Sequence, residues 1–138
     1  MKRKAMVSHV TGALAALACA ASFPAILTTS AAAQEAAGDP AAGERVYRQC
    51  ATCHSVAPGE NRAGPHLFGI VGQSAGAVEG FRYSRAMREA DIVWDDETLT
   101  AYLIDPLGFL PGTTMRVGLR NPDDAADLIA YLRTLSTE

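Results

Sequence analysis

Residues 50–54 read Cys50-Ala51-Thr52-Cys53-His54. Two thiols three positions apart near a helix end can add to the two vinyl groups of one porphyrin. The adjoining histidine can then place an imidazole nitrogen on the iron, so the spacing is the attachment signature of c-type haem. A thioredoxin-type dithiol would sit in a βαβ setting, and this sequence has no strand-like alternation of useful length. Zinc would need four ligands. Beyond residue 33 the Cys and His residues are only Cys50, Cys53, His54 and His66, and two of these are adjacent. The pentapeptide therefore predicts one haem c, held covalently through two thioethers.

Outward from it, helix signals and long loops alternate. Asp39-Pro40 reads as an N-cap followed by proline at the first helical position. Gly43, Val46, Tyr47 and Cys50 then share one helical face. Residues 55–74 are rich in Gly and Pro and read as loop, and residues 76–81 as a turn. Ser84 caps a short helix over residues 84–90. Asp95-Asp96-Glu97 puts acids in the first turn of another helix, with Leu99, Tyr102 and Leu103 on its apolar face and Pro106 ending it. Residues 106–115, PLGFLPGTTM, form a second loop. Asn121-Pro122-Asp123-Asp124 starts a last helix, striped by Ala125, Leu128, Ile129 and Leu132. The expected fold is all-α, three to five helices with long loops. Loops that long are unusual in so small a domain. A large apolar ring serving as core accounts for them.

The chain has 138 residues and a net charge of −3. Residues 1–33 hold 21 apolar residues, Lys2, Arg3 and Lys4, and no acid. The basic start, the charge-free run over residues 10–27 and Ala31-Ala32-Ala33 read as a secretory signal peptide cleaved to leave Gln34 first. The alternative is a retained anchor: 18 residues just suffice to span, but Gly12 and Pro24 interrupt them. Lipidation at Cys19 is disfavoured, because Ala16 stands where a bulky aliphatic is usual. Residues 34–138 then form one exported domain, in the oxidising periplasm. They carry nine Arg, no Lys and 15 acids, a net charge of −6. Such a chain is not built to neutralise phosphates, which argues against nucleic acid as a partner. Its apolar content argues against disorder, and two cysteines are too few for a disulfide scaffold.

A sixth iron ligand has three candidates: His66, Met87 and Met115. Met87 lies at helical spacing among charged residues and reads as a packing residue. His66 is only 12 residues from His54, little chain with which to cross to the opposite face of a ring. Met115 follows Pro111-Gly112-Thr113-Thr114 in a loop, poorly placed for core packing and well placed to reach a metal.

Over residues 38–135 the sequence resembles the class I cytochrome c family. The resemblance rests on Gly43 seven residues before Cys50, on CATCH, and on Gly64-Pro65 with Leu67. It continues through Phe81 and Tyr83, Trp94, Leu99, Tyr102-Leu103 and Pro106, then Pro111-Gly112-Thr113 before Met115 and ADLIAYL over residues 126–132. It implies a small domain wrapped around one covalent haem, with Cys50 and Cys53 as thioethers and His54 and Met115 as axial ligands. The Pro65 carbonyl would accept a hydrogen bond from His54 and fix its tautomer. Tyr83 and Trp94 would donate to a buried propionate, and Tyr102 would lie near the Met115 sulfur. Thr113 joins the haem-binding set through its motif. Gly43 and Tyr131 would mark the crossing of the first and last helices. Three positions depart from the family pattern: His66 for the usual Asn, Gln73 for a propionate-pairing Arg, and Met87 for Asn. The segment over residues 116–125 is about one residue short, and the lysines that ring the haem edge in mitochondrial relatives are missing.

The implied function is one-electron transfer between respiratory or photosynthetic redox proteins by a monomer that is not itself an enzyme and takes no small-molecule substrate. The alternatives are a haem sensor or catalyst with an open iron site, and a thiol–disulfide protein with free Cys50 and Cys53. With no lysine and a neutral stretch over residues 106–115, docking is expected through Leu107, Phe109 and Leu110, rimmed by Arg116 and Arg120.

Overall fold

A computed structural model describes residues 38–136. The expected signal peptide over residues 1–33 and its cleavage site lie outside the described residues. Five helices follow one another: α1 (Pro40–Tyr47), α2 (Arg85–Glu89), α3 (Asp96–Ile104), α4 (Pro106–Phe109) and α5 (Pro122–Arg133). Among the described residues the only β-type pairing is an isolated antiparallel bridge between Ser74 and Val93. The chain is all-α, as its periodicity indicates.

The caps form for local reasons. Asp39 accepts from the Ala41 amide at 2.9 Å, Ser84 from Met87 at 3.2 Å and Asn121 from Asp123 at 3.1 Å. Asp95 and Thr98 cap each other's backbone reciprocally. Each bond satisfies an amide that the first helical turn leaves unpaired. One expectation is corrected here. Residues 106–115 are not loop throughout, because Asp105 accepts from the Gly108 amide at 3.0 Å. With Pro106 at the first helical position, that cap starts α4 with only Asp105 between it and the end of α3.

Helices α1 and α5 cross at close range. A Cβ on Gly43 would stand 2.0 Å from the Asp127 carbonyl oxygen and 2.7 Å from the Tyr131 Cβ, so only glycine fits. The Tyr47 and Tyr131 rings meet beside this crossing at 5.7 Å between centroids. Helix α3 packs on α5, with an ion pair between Arg133 and Asp96. Leu99, Leu103, Leu128, Ile129 and Leu132 fill the space between. The long loops are pinned by backbone bonds. Gly72 donates to the Trp94 carbonyl, Trp94 to Gln73 and Ala75 to Ile92, each at 2.8 Å. These bonds seat Trp94, Ile70 and Val78 against the same core.

Candidate functional site

Helix α1 delivers the pentapeptide. Past Tyr47 the chain keeps coiling: Cys50 and Ala51 donate to the Tyr47 carbonyl, and Cys53 and His54 donate to that of Cys50, all within 3.0 Å. Cys50 is half-buried and Cys53 exposed, and the two are not joined in a disulfide. Burial pushes the Cys50 thiol above its ordinary range, and Cys53 adds to the shift.

His54 is held from several directions. Its ring Nδ1 lies 2.7 Å from the Pro65 carbonyl oxygen. A carbonyl only accepts, so the hydrogen sits on Nδ1 and the lone pair is left on Nε2, the form in which imidazole binds a metal. Burial lowers the His54 pKa, partly opposed by the Pro65 bond, and so favours the neutral ring. Tyr47 Oη donates to the His54 carbonyl at 2.8 Å. A Cβ on Gly64 would stand 2.3 Å from the His54 Cε1, so that glycine lets the Pro65 segment close over the ring. The Gly64 amide seals this approach by donating to the Cys53 carbonyl at 2.8 Å.

A polar clamp that sequence reasoning missed surrounds the turn. Arg62 Nη1 donates to the Ala51 carbonyl at 2.9 Å and pairs with Glu60, whose other oxygen accepts from the buried Ser55 hydroxyl at 3.0 Å. Ordinary surface residues at irregular spacing gave no signal for it.

The remaining predicted site residues form a second group. Tyr102 is buried, and its hydroxyl lies 2.7 Å from that of Thr113. The Met115 amide donates to the same Thr113 oxygen at 3.4 Å. Gly112 makes the turn just before Thr113 at φ 93°, a left-handed conformation that glycine adopts without strain. The Trp94 and Tyr102 rings meet at a 44° tilt with centroids 5.0 Å apart, and Phe109 meets Tyr102 edge-on at 6.1 Å. Tyr83 is half-buried, and burial raises its phenol pKa against the opposing bond from Val78. Burial likewise raises that of Tyr102, against the Thr113 bond. Met115 is half-buried against the core, whereas Met87 is a core residue at 7% exposure. His66 is half-buried, and its ring Nδ1 is enclosed without a partner among the described residues.

These groups suit a haem c. Two thiols sit three residues apart, a neutral imidazole has its tautomer fixed, and a thioether stands in a loop braced by Thr113. Half-buried apolar residues, Leu67, Val71, Phe109 and Leu110, pack against the same core as Met115. The family model for cytochrome c matches residues 40–136.

The chain belongs to the cytochrome c family. It is 48% identical over 101 residues to cytochrome c2 of Rhodomicrobium vannielii, covering 72% of this chain and 81% of that one. It is 41% identical over 105 residues to cytochrome c2 of Blastochloris viridis, covering 75% and 83%. Among solved structures, cytochrome cH from Methylobacterium extorquens aligns with a TM-score of 0.66 at 39% identity, covering 70% of this chain and 99% of that one. Cytochrome c2 from Rhodospirillum Centenum aligns with a TM-score of 0.69 at 36% identity, covering 72% and 100%. This class I cytochrome c carries a covalently attached haem c and serves in electron transport.

Proposed function

We propose that this cytochrome c is a periplasmic one-electron carrier between respiratory or photosynthetic redox proteins, with Cys50 and Cys53 as thioethers and His54 and Met115 as axial ligands. Bound there, haem c supplies a reversible Fe(III)/Fe(II) couple. The observation that carries the residue roles is the 2.7 Å bond from His54 Nδ1 to Pro65. It leaves Nε2 as the only ring atom with a free lone pair and fixes the ring's orientation.

The other residues have roles that follow from their contacts. Thr113 holds the Met115 backbone, and Tyr102 holds Thr113. The Trp94, Tyr102 and Phe109 rings keep water from that side. A methionine sulfur is a neutral donor and favours Fe(II), which raises the reduction potential. With His54 and Met115 both holding the iron, no position would be left for a substrate, which would favour a carrier over an enzyme, sensor or catalyst. The signal-like residues 1–33 support export, and the acidic charge of residues 34–138 argues against nucleic acid as a partner.

The test is rapid mixing of the reduced protein with membranes from its own cell. The reading expects reoxidation without any added substrate, by a protein recovered from the periplasm that begins at Gln34. Retention in the cytoplasm, or no reoxidation by any membrane preparation, would overturn it.

A further inference from the structure

The peptide group joining Pro65 to His66 is engaged at both ends. Its carbonyl oxygen lies 2.7 Å from His54 Nδ1. Its N–H, on His66, donates to Asn61 Oδ1 at 3.0 Å. The Asn61 amide is engaged in turn, because Nδ2 donates to the Glu79 carbonyl at 2.9 Å. The orientation of that amide is unambiguous: the His66 N–H requires an acceptor and the Glu79 carbonyl a donor. Three amide groups therefore form one head-to-tail chain that starts at the imidazole and ends on the turn before Gly80.

Hydrogen bonds in such a chain polarise one another, each strengthening the next by about 10–30%. Asn61 Oδ1 draws electron density through the peptide onto the Pro65 carbonyl oxygen and makes it a better acceptor. A better acceptor gives the imidazole more anionic character and greater basicity at Nε2. We propose that Asn61 is a positioning residue that tunes His54 through the Pro65–His66 peptide, lowering the reduction potential relative to a chain without it. The proposal rests on the reading of His54 as an iron ligand.

Two variants of the holoprotein test it. Asn61→Ala removes both of the side chain's bonds. Asn61→Asp loses the donor to Glu79 but keeps an acceptor for His66, now charge-assisted and stronger. Both variants lose the tie to Glu79, so a purely structural role shifts both in the same direction. Tuning shifts them in opposite directions. In the ferrous protein the His54 Nδ1–H resonance moves upfield in Asn61→Ala and downfield in Asn61→Asp. The redox equilibrium moves about twofold toward Fe(II) in the alanine variant, which is about 18 mV at 59 mV per tenfold for one electron. It moves toward Fe(III) in the aspartate variant.

Shifts of the same sign, or no shift in the alanine variant, would overturn the proposal. So would an aspartate shift in potential that salt abolishes while the His54 resonance stays in place, because that is plain Coulomb attraction. Failure of the ligand reading shows itself separately. The His54 ring protons of the unmodified ferrous protein would then lack the large upfield shift of a ring lying over a porphyrin face.

Discussion

Met87 and Met115 carry the same thioether into different surroundings. Met87 lies on a capped helical turn and is enclosed by the core; Met115 ends a glycine-turned loop tied to Thr113 and Tyr102. Met115→Ala is expected to lower the reduction potential and to open the iron to carbon monoxide or cyanide, read by optical titration. Met87→Ala is expected to leave ligation intact and to cost about 2–5 kcal/mol by cavity formation, read by denaturant unfolding. Exchange of these two outcomes would reverse the assignment. The pentapeptide was legible in the sequence because its chemistry is written in local spacing. Asn61 was not, because its significance comes from bonds to His66 and Glu79, five and 18 residues away.

Helices show the same division between what is local and what is not. The caps at Asp39, Ser84 and Asn121 could be read directly, since each bonds an amide two or three residues on; Asp95 reads as a first-turn acid in the sequence but is the cap of α3, accepting from the Thr98 amide. Helix α4 was hidden, since PLGF is too short to show a period and only the Asp105 bond to Gly108 reveals its start. At the α1–α5 crossing, Gly43→Ala puts a methyl where Asp127 and Tyr131 already stand. The two helices must separate, and a loss of about 3 kcal/mol or more is expected in denaturant unfolding.

The cap of α3 also responds to pH. Bonds from the Thr98 amide, and then from its hydroxyl, hold the Asp95 carboxyl below its ordinary pKa. A depressed folded-state pKa gives stability that is complete above the unfolded-state value and is lost as pH falls through the folded-state value. Asp95→Asn accepts the same amide bond without titrating. Its thermal midpoint should therefore fall less steeply than that of the unmodified protein as the solution is acidified. Parallel curves would remove Asp95 from the acid response.

As a whole, the molecule keeps its charges away from one stretch of surface. Residues 106–119 carry a single charge, on Arg116, in a chain with 15 acids. Leu107 is 43% exposed there, and Val117 is 75% exposed. Leu107 was expected at the docking surface and Val117 was not, because a lone valine after an arginine has no pattern to mark it. Phe109 and Leu110 are only half-exposed and share themselves with the core. Steering between opposite charges makes association fall steeply with ionic strength. Docking through a neutral apolar stretch does not. The second-order electron-transfer rate with the native partner should therefore vary little over a salt series; a steep decline would show that arginines elsewhere steer the encounter.

If His54 and Met115 both hold the iron of one covalent haem, the protein carries single electrons and nothing else binds the metal. A potentiometric titration followed optically, with and without carbon monoxide, decides this. The expected result is one Nernst transition of a single electron between two low-spin spectra, unchanged by the gas. A high-spin ferrous spectrum that shifts when carbon monoxide is added would contradict it, because the iron would then have an open position and the protein another task.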